Sequence, residues 1–175
     1  MLRVGGSGES IDRMVYTIRR SSREDWREFR TLRLAALSDP VAPVAFFEPY
    51  EEALQLTRVE WERRAAGRGT VVFAGELDGG AWAGMVGVCR EERWAQVVGV
   101  YLLPEHRGTG LAARLMGAAI DWAGGREVRL RVHEANARAA RFYTSLGFRP
   151  TGVRDSDPDD LSFGAYEMVL RPGPG

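Results

Sequence analysis

The sequence predicts one α/β domain built on a single mixed sheet. Three observations point there. The chain has 175 residues, which suits one domain with a core of its own. Its apolar positions switch between a two-residue and a 3.6-residue period. The elements so delimited run strand, two helices, three-strand meander, helix, strand, helix, two strands. Neither an internal repeat nor an interdomain linker interrupts them, and alternation of this kind calls for helices packed on a sheet.

Each element has its own signal. Val15 to Arg20 alternates and reads as a strand. Ser22 and Asp25 resemble a capping box, and Trp26, Phe29, Leu32, Ala36 and Leu37 follow at helical spacing up to Asp39-Pro40. The proline-rich "PVAPVAFFEP", Pro40 to Pro49, reads as a loop bearing two exposed aromatics. Glu51 to Ala66 reads as a second helix closed by Gly67. Thr70 to Glu76, Trp82 to Cys89 and Trp94 to Leu103 form the meander, joined by "LDGG" and "REER" turns. A helix from Gly108 carries Leu111, Leu115, Ala119 and Trp122 on one face and stops at Gly124-Gly125. Val128 to Val132 is a strand. Asn136 to Leu146 is a helix with an Asn cap and a glycine stop at Gly147. Phe148 to Val153 and Gly164 to Leu170 close the sheet around the acidic "RDSDPDD". Residues 1–13 are Gly/Ser-rich and read as a disordered extension or a cloning remnant, which leaves 14–172 as the domain.

Composition excludes several function classes. Formal net charge is zero, so no global field favours nucleic acid or a membrane surface. The chain contains arginine but no lysine. It therefore has neither a Schiff-base lysine nor a Walker-type phosphate lysine. Cys89 is the single cysteine; with no disulfide or zinc pair available, a reducing cytoplasm and no metal are the expectation. A buried, inert thiol is the expectation for Cys89 rather than an acyl carrier. No apolar run reaches the roughly 20 residues of a membrane helix.

The stretch "LPEHRGTGLAARLM", Leu103 to Met116, carries the first chemistry. Gly108-Thr109-Gly110 at a helix start leaves backbone N–H groups unpaired and aimed together, where the helix dipole favours an anion. Gly108-x-Gly110-x-x-Ala113 also approaches a dinucleotide fingerprint, with Glu134 near the position of a ribose-binding acid. Against that stand the long polar turn Pro104 to Arg107, the antiparallel meander before it, and too few βα units after it.

A second motif follows on the next helix. "NARAARFYTSLGF", Asn136 to Phe148, has the pattern Asn-x-x-Ala-x-x-x-Tyr-x-x-x-Gly-Phe. Together with the strand and glycine turn before it, this resembles the GCN5-related N-acetyltransferase (GNAT) superfamily. The resemblance follows the order of elements from Met14 to Leu170, and its specific part is Val98 to Phe148. It implies a mostly antiparallel sheet whose central parallel strand pair splays apart.

It also implies an acetyltransferase that takes acetyl-CoA as cosubstrate and an amine as acceptor. By this resemblance the diphosphate lies on the main-chain N–H groups of Arg107, Gly108, Thr109, Gly110, Leu111 and Ala112. Glu105 stands where the family usually has Gln or Arg. Val100 and Leu102 would make main-chain contacts to pantetheine, with Leu102 the candidate oxyanion donor. Asn136 would bond the pantetheine arm, Ala139 would leave it room, and Tyr143 would be the general acid. A homodimer is common in the family. A non-catalytic acyl-CoA-binding module on the same fold remains the alternative.

An attacking alkylamine is neutral about once in a few thousand molecules at pH 7, so a base or water relay is expected. Glu91, Glu92, His133 and Glu134 are the candidates, and the sequence does not choose among them. The acceptor loops hold Phe46, Phe47 and Glu48, and Asp155, Asp157, Asp159 and Asp160. These would suit a cationic amine with an apolar part; a solvated acidic turn beside core aromatics is the alternative.

Overall fold

The computed structural model describes residues 14–174; the N-terminal segment set apart above lies outside them. Seven strands form one sheet: β1 (Thr17–Arg20), β2 (Val71–Glu76), β3 (Trp82–Arg90), β4 (Trp94–Leu102), β5 (Glu127–His133), β6 (Arg149–Arg154) and β7 (Ala165–Leu170). Their order is β1-β2-β3-β4-β5-β7-β6. Every pairing is antiparallel except β4 with β5. The expected mixed sheet is thus present, with its parallel pair at the centre.

Among the described residues six α-helices accompany it: α1 (Trp26–Ser38), α2 (Ala42–Ala45), α3 (Tyr50–Leu54), α4 (Arg58–Ala65), α5 (Leu111–Ala123) and α6 (Ala137–Ser145). Each face of the sheet has its own core. On one face Leu111, Leu115, Met116 and Ala119 of α5 meet Val86, Val97, Val128 and Leu130. On the other, Phe29, Leu32 and Ala36 of α1 and Trp61 of α4 meet Val72, Ala74, Trp82 and Met85.

Two sequence expectations are corrected. Pro40 to Pro49 is not all loop, because Ala42–Ala45 forms a helical turn with proline in its first turn, where the missing N–H costs nothing. The helix expected over Glu51 to Ala66 is two helices. Thr57 starts the second with a capping box: its N–H donates to Glu60 Oε2 (2.6 Å), and its hydroxyl accepts from the Glu60 N–H (3.3 Å). That reciprocal pair satisfies two N–H groups which a continuous helix would use otherwise.

The seat of α5 depends on Gly75 in β2. A Cβ there would lie 2.6 Å from Leu111 Cδ1, and Leu111 is fully buried. Leu111 is also the first residue of the helix that follows the glycine turn, so this contact sets the turn's height above the sheet. Gly75→Val should destabilise the fold by about 1–3 kcal/mol through overpacking. Thermal unfolding should show this as a fall in Tm of roughly 2–12 °C; an unchanged Tm would mean that Leu111 repacks freely.

Candidate active site

The site begins where β4 and β5 part. They pair only over Trp94–Gln96 and Glu127–Arg129. Beyond Gln96 the two strands diverge, and β4 keeps only β3 as partner. The β3–β4 register shifts by one residue between Met85 and Gly87: Met85 faces Tyr101 while Gly87 faces Val98. The extra residue lies in β4 at Gly99, whose φ is +60°, a left-handed conformation that favours glycine.

The bulge decides what the free edge of β4 offers. The Leu103 N–H bonds the Ala83 carbonyl (2.9 Å). In an antiparallel ladder such bonds alternate residue by residue. The N–H groups of Leu102 and Val100 therefore face away from β3, towards the gap left by β5. The Leu102 carbonyl, on the same side, accepts from Arg107 Nε (3.3 Å).

The glycine turn closes one end of this edge. Pro104–His106 forms a 3-10 turn. Gly108 and Gly110 then take φ of +75° and +84°, and Gly110 caps α5. Among the described residues the N–H groups of Gly108, Thr109, Gly110, Ala112 and Ala113 have no backbone or side-chain acceptor. The Arg107 N–H is already taken by the Pro104 carbonyl (3.2 Å), and the Leu111 N–H lies 3.4 Å from Thr109 Oγ1. The free set thus differs from the sequence expectation at Arg107 and Leu111, and gains Ala113.

The turn is braced from below and from the side. His106 is buried, with Nδ1 2.9 Å from the Tyr16 hydroxyl, and its carbonyl accepts from the Thr109 hydroxyl (2.6 Å). Arg107 Nη2 donates to Asp39 Oδ2 (2.8 Å), which also accepts from the Tyr101 hydroxyl (3.1 Å). Burial alone would raise the Asp39 pKa, but the Val41 N–H, Arg107 and Tyr101 together bring it below the usual range. Burial and this carboxylate push Tyr101 up to about 12. Sequence reasoning missed His106, Tyr16 and Asp39, since 90 residues separate His106 from Tyr16. Glu105 is exposed on the 3-10 turn and does not line the cleft.

A cleft of about 520 Å³ joins these parts. Its lining includes Val100, Leu102, Gly108, Gly110, Ala112, Ala113, Asn136, Ala139 and Tyr143. A smaller recess of about 80 Å³ continues between the splayed strands, past Val98 and Gly99 on one side and Arg131 and Val132 on the other. Helix α6 contributes three of the residues picked from sequence. Asn136 caps it by accepting from the Ala139 N–H (3.2 Å), and Asn136 Nδ2 reaches the Val44 carbonyl at 3.5 Å. Tyr143 stands two turns further on and lines both spaces. Its hydroxyl has no hydrogen-bond partner in the protein among the described residues, and burial holds its pKa well above the usual tyrosine value.

None of the four candidate bases lines either space. Glu91 and Glu92 are exposed in the β3–β4 turn, at the end of β4 farther from the glycine turn. His133 Nδ1 accepts from the Ala135 N–H (3.0 Å), and its Nε2 side abuts Gly164. Glu134 is exposed and pairs with Arg154 (3.3 Å). Cys89 is half-buried, and burial raises its thiol pKa.

Of the residues expected at the acceptor side, Phe46 lines the cleft and Phe47 the smaller recess, while the carboxylates Glu48 and Asp155 are engaged by arginines. Phe46 is buried against Tyr101, with ring centroids 5.9 Å apart. Glu48 is bound by two guanidiniums: Arg33 Nη2 at 2.7 Å and Arg64 Nη1 at 2.8 Å. Asp155 pairs with Arg131. These carboxylates are already neutralised inside the protein. Among the described residues no helix is long and apolar enough to cross a membrane.

Comparison with known proteins places this architecture. An uncharacterized N-acetyltransferase of Mycobacterium tuberculosis is 43% identical over 68 residues, which cover 37% of this chain and 43% of that protein. The match thus spans less than half of that relative. A GNAT-family acetyltransferase from Streptococcus pneumoniae superposes with a TM-score of 0.71 at 20% identity, over 91% of this chain and 100% of the other. The PaiA N-acetyltransferase of Thermoplasma acidophilum, solved in complex with coenzyme A, gives 0.70 at 20% identity, over 90% and 99%. Both share the overall fold. A model of the acetyltransferase (GNAT) family matches residues 23–148, including the splayed strand, the glycine turn and the helix of Tyr143, and the chain belongs to that family.

Proposed function

We propose that the protein transfers an acetyl group from acetyl-CoA to a primary amine by direct attack, with Tyr143 as general acid. One observation carries this reading. A single cleft is lined by the glycine turn, the freed edge of β4 and a tyrosine whose hydroxyl has no protein partner. The PaiA complex supports the choice of ligand, being a relative in fold that holds coenzyme A.

Five free N–H groups at a helix N-terminus suit a diphosphate, which spreads its charge over several oxygens. Glu105 is exposed and does not line the cleft, so its carboxylate is not part of the surface that would meet that charge. From the turn the pantetheine arm runs along β4 as an added strand, bonding the Leu102 N–H and Asn136. The thioester then lies towards Gly99. The sequence expectation put the oxyanion donor at Leu102. The bulge instead favours Val100, whose N–H is the free-edge donor next to Gly99.

The amine nitrogen attacks the thioester carbonyl carbon; the C–N bond forms, the C–S bond breaks, and the sulfur takes a proton from Tyr143. The amine's proton passes to water, which returns a proton to the Tyr143 phenolate, since no carboxylate or imidazole lines the cleft among the described residues. The test is thiol release from acetyl-CoA across an amine panel, with products identified by mass. Amine-dependent release with an acetylated product is expected. Coenzyme A binding without any amine-dependent release would favour the acyl-CoA-binding module instead.

A further inference from the structure

A second cavity lies on the opposite face of the sheet from the glycine turn. It measures about 340 Å³, and the side chains of Phe29, Arg33, Arg64 and Arg68 stand over Met85, Val98 and Gly99. Its floor is the β4 bulge itself. A Cβ on Gly99 would lie 3.4 Å from Arg33 Nη1. Val98 and Gly99 also line the recess between the splayed strands, so this cavity meets the end of the cleft where the thioester would lie.

The cavity's charge is one-sided. Three arginines line it and no carboxylate does. The one acid bound to them, Glu48, takes Arg33 through Nε and Nη2 and Arg64 through Nη1. Arg33 Nη1, above the bulge, has no hydrogen-bond acceptor among the described residues. Neither does the Arg68 side chain, which rises from the loop after α4. Three guanidiniums against one carboxylate leave the cavity cationic. The diphosphate does not account for this charge, because its N–H donors lie across the sheet. Arginine forks match carboxylate and phosphate oxygens, and a cavity of this size suits a small molecule.

We infer that this cavity is the acceptor subsite and selects a small amine bearing a carboxylate or phosphate, which Arg33 and Arg68 hold while its nitrogen reaches past Gly99. The inference rests on the acetyl-transfer reading for the reaction, and on the cavity alone for the binding. A cationic polyamine is disfavoured here, because a second ammonium would face uncompensated guanidiniums.

The test uses the full chain saturated with coenzyme A or acetyl-CoA and a matched amine series. β-Alanine, 2-aminoethyl phosphate, β-alaninamide and 1,3-diaminopropane differ in the group that accompanies the amine. Calorimetric binding and, separately, kcat/KM are measured for wild type, Arg68→Ala and Arg68→Gln. Arg68 is exposed, so both variants should fold, and circular dichroism verifies this. The anionic amines should bind at least about tenfold more tightly than the amide. Both variants should remove most of that preference while leaving the amide unchanged, and raised salt should erode it. Whether carboxylate or phosphate binds better identifies the anion. Equal binding of amide and anionic amines, tighter binding of the diamine, or an equal loss for all ligands in the variants would overturn the inference. Anion-selective binding with no turnover on any amine would sink the transfer reading but uphold the subsite.

Discussion

Tyr143→Phe should lower kcat by about 10²–10⁴-fold while Kd for coenzyme A stays within about twofold, the loss expected of a removed general acid. The ring fills the same space in both, packing on Phe142 and Phe148 at centroid distances of 5.4 and 5.9 Å. Among the described residues the hydroxyl makes no hydrogen bond that the fold would miss, so stability should change little. Protonating a thiolate of ordinary pKa, about 8.5, from an ordinary tyrosine near 10 is uphill by about 2 kcal/mol. Burial raises the tyrosine further. The same cleft also desolvates the thiolate and raises the pKa of its thiol, so the two values move together. The pH profile tests the sign. A raised pKa keeps the hydroxyl protonated up to and beyond its unperturbed value of about 10. The wild-type kcat/KM should therefore climb as the amine deprotonates and show no fall from Tyr143 ionisation below about pH 10. Equal kcat for Tyr143→Phe and wild type across this range would remove the general-acid role.

What the sequence disclosed follows the range of the interaction involved. The glycine turn and the Asn136 cap are local: N–H groups and glycine conformations within a few residues define them. Strand and helix periods likewise delimited the sheet, and the motif pair carried the family. The break at Thr57 was also local, since Thr57-x-x-Glu60 is a capping signature, but the apolar period across it masked the signal. The carboxylates of the acceptor loops are a different case. Glu48 and Asp155 look free in sequence because their partners, Arg33, Arg64 and Arg131, come from other elements. The arginine cavity draws on α1, α4, the loop after it and the β4 bulge. Nothing within one segment foretells that convergence. The absence of lysine adds to the difficulty, because every cation is then arginine and none stands out by type.

Gly110→Asp and Gly110→Asn separate backbone strain from electrostatics at the glycine turn. Gly110 caps α5 at φ +84°, and nothing lies within 4 Å of where a Cβ would stand. Either substitution fits sterically, and Asn and Asp tolerate the left-handed region better than other side chains. Both variants should therefore lose a similar amount of stability, about 1 kcal/mol, read by thermal unfolding. Their coenzyme A affinities should diverge. The Asp carboxylate would stand beside the free N–H groups of Gly108, Ala112 and Ala113 and compete with a diphosphate for them. Two like charges about 4 Å apart near a protein surface repel by about 4 kcal/mol before salt screening. Gly110→Asp should accordingly bind coenzyme A roughly 10²–10³-fold more weakly than Gly110→Asn, with the gap narrowing as salt rises. Pantetheine, which lacks the diphosphate, should bind the two variants alike. If the pair bound coenzyme A equally at low salt, the turn would not hold the diphosphate. If pantetheine also distinguished them, the carboxylate would be acting on the arm of the ligand and not on its phosphates.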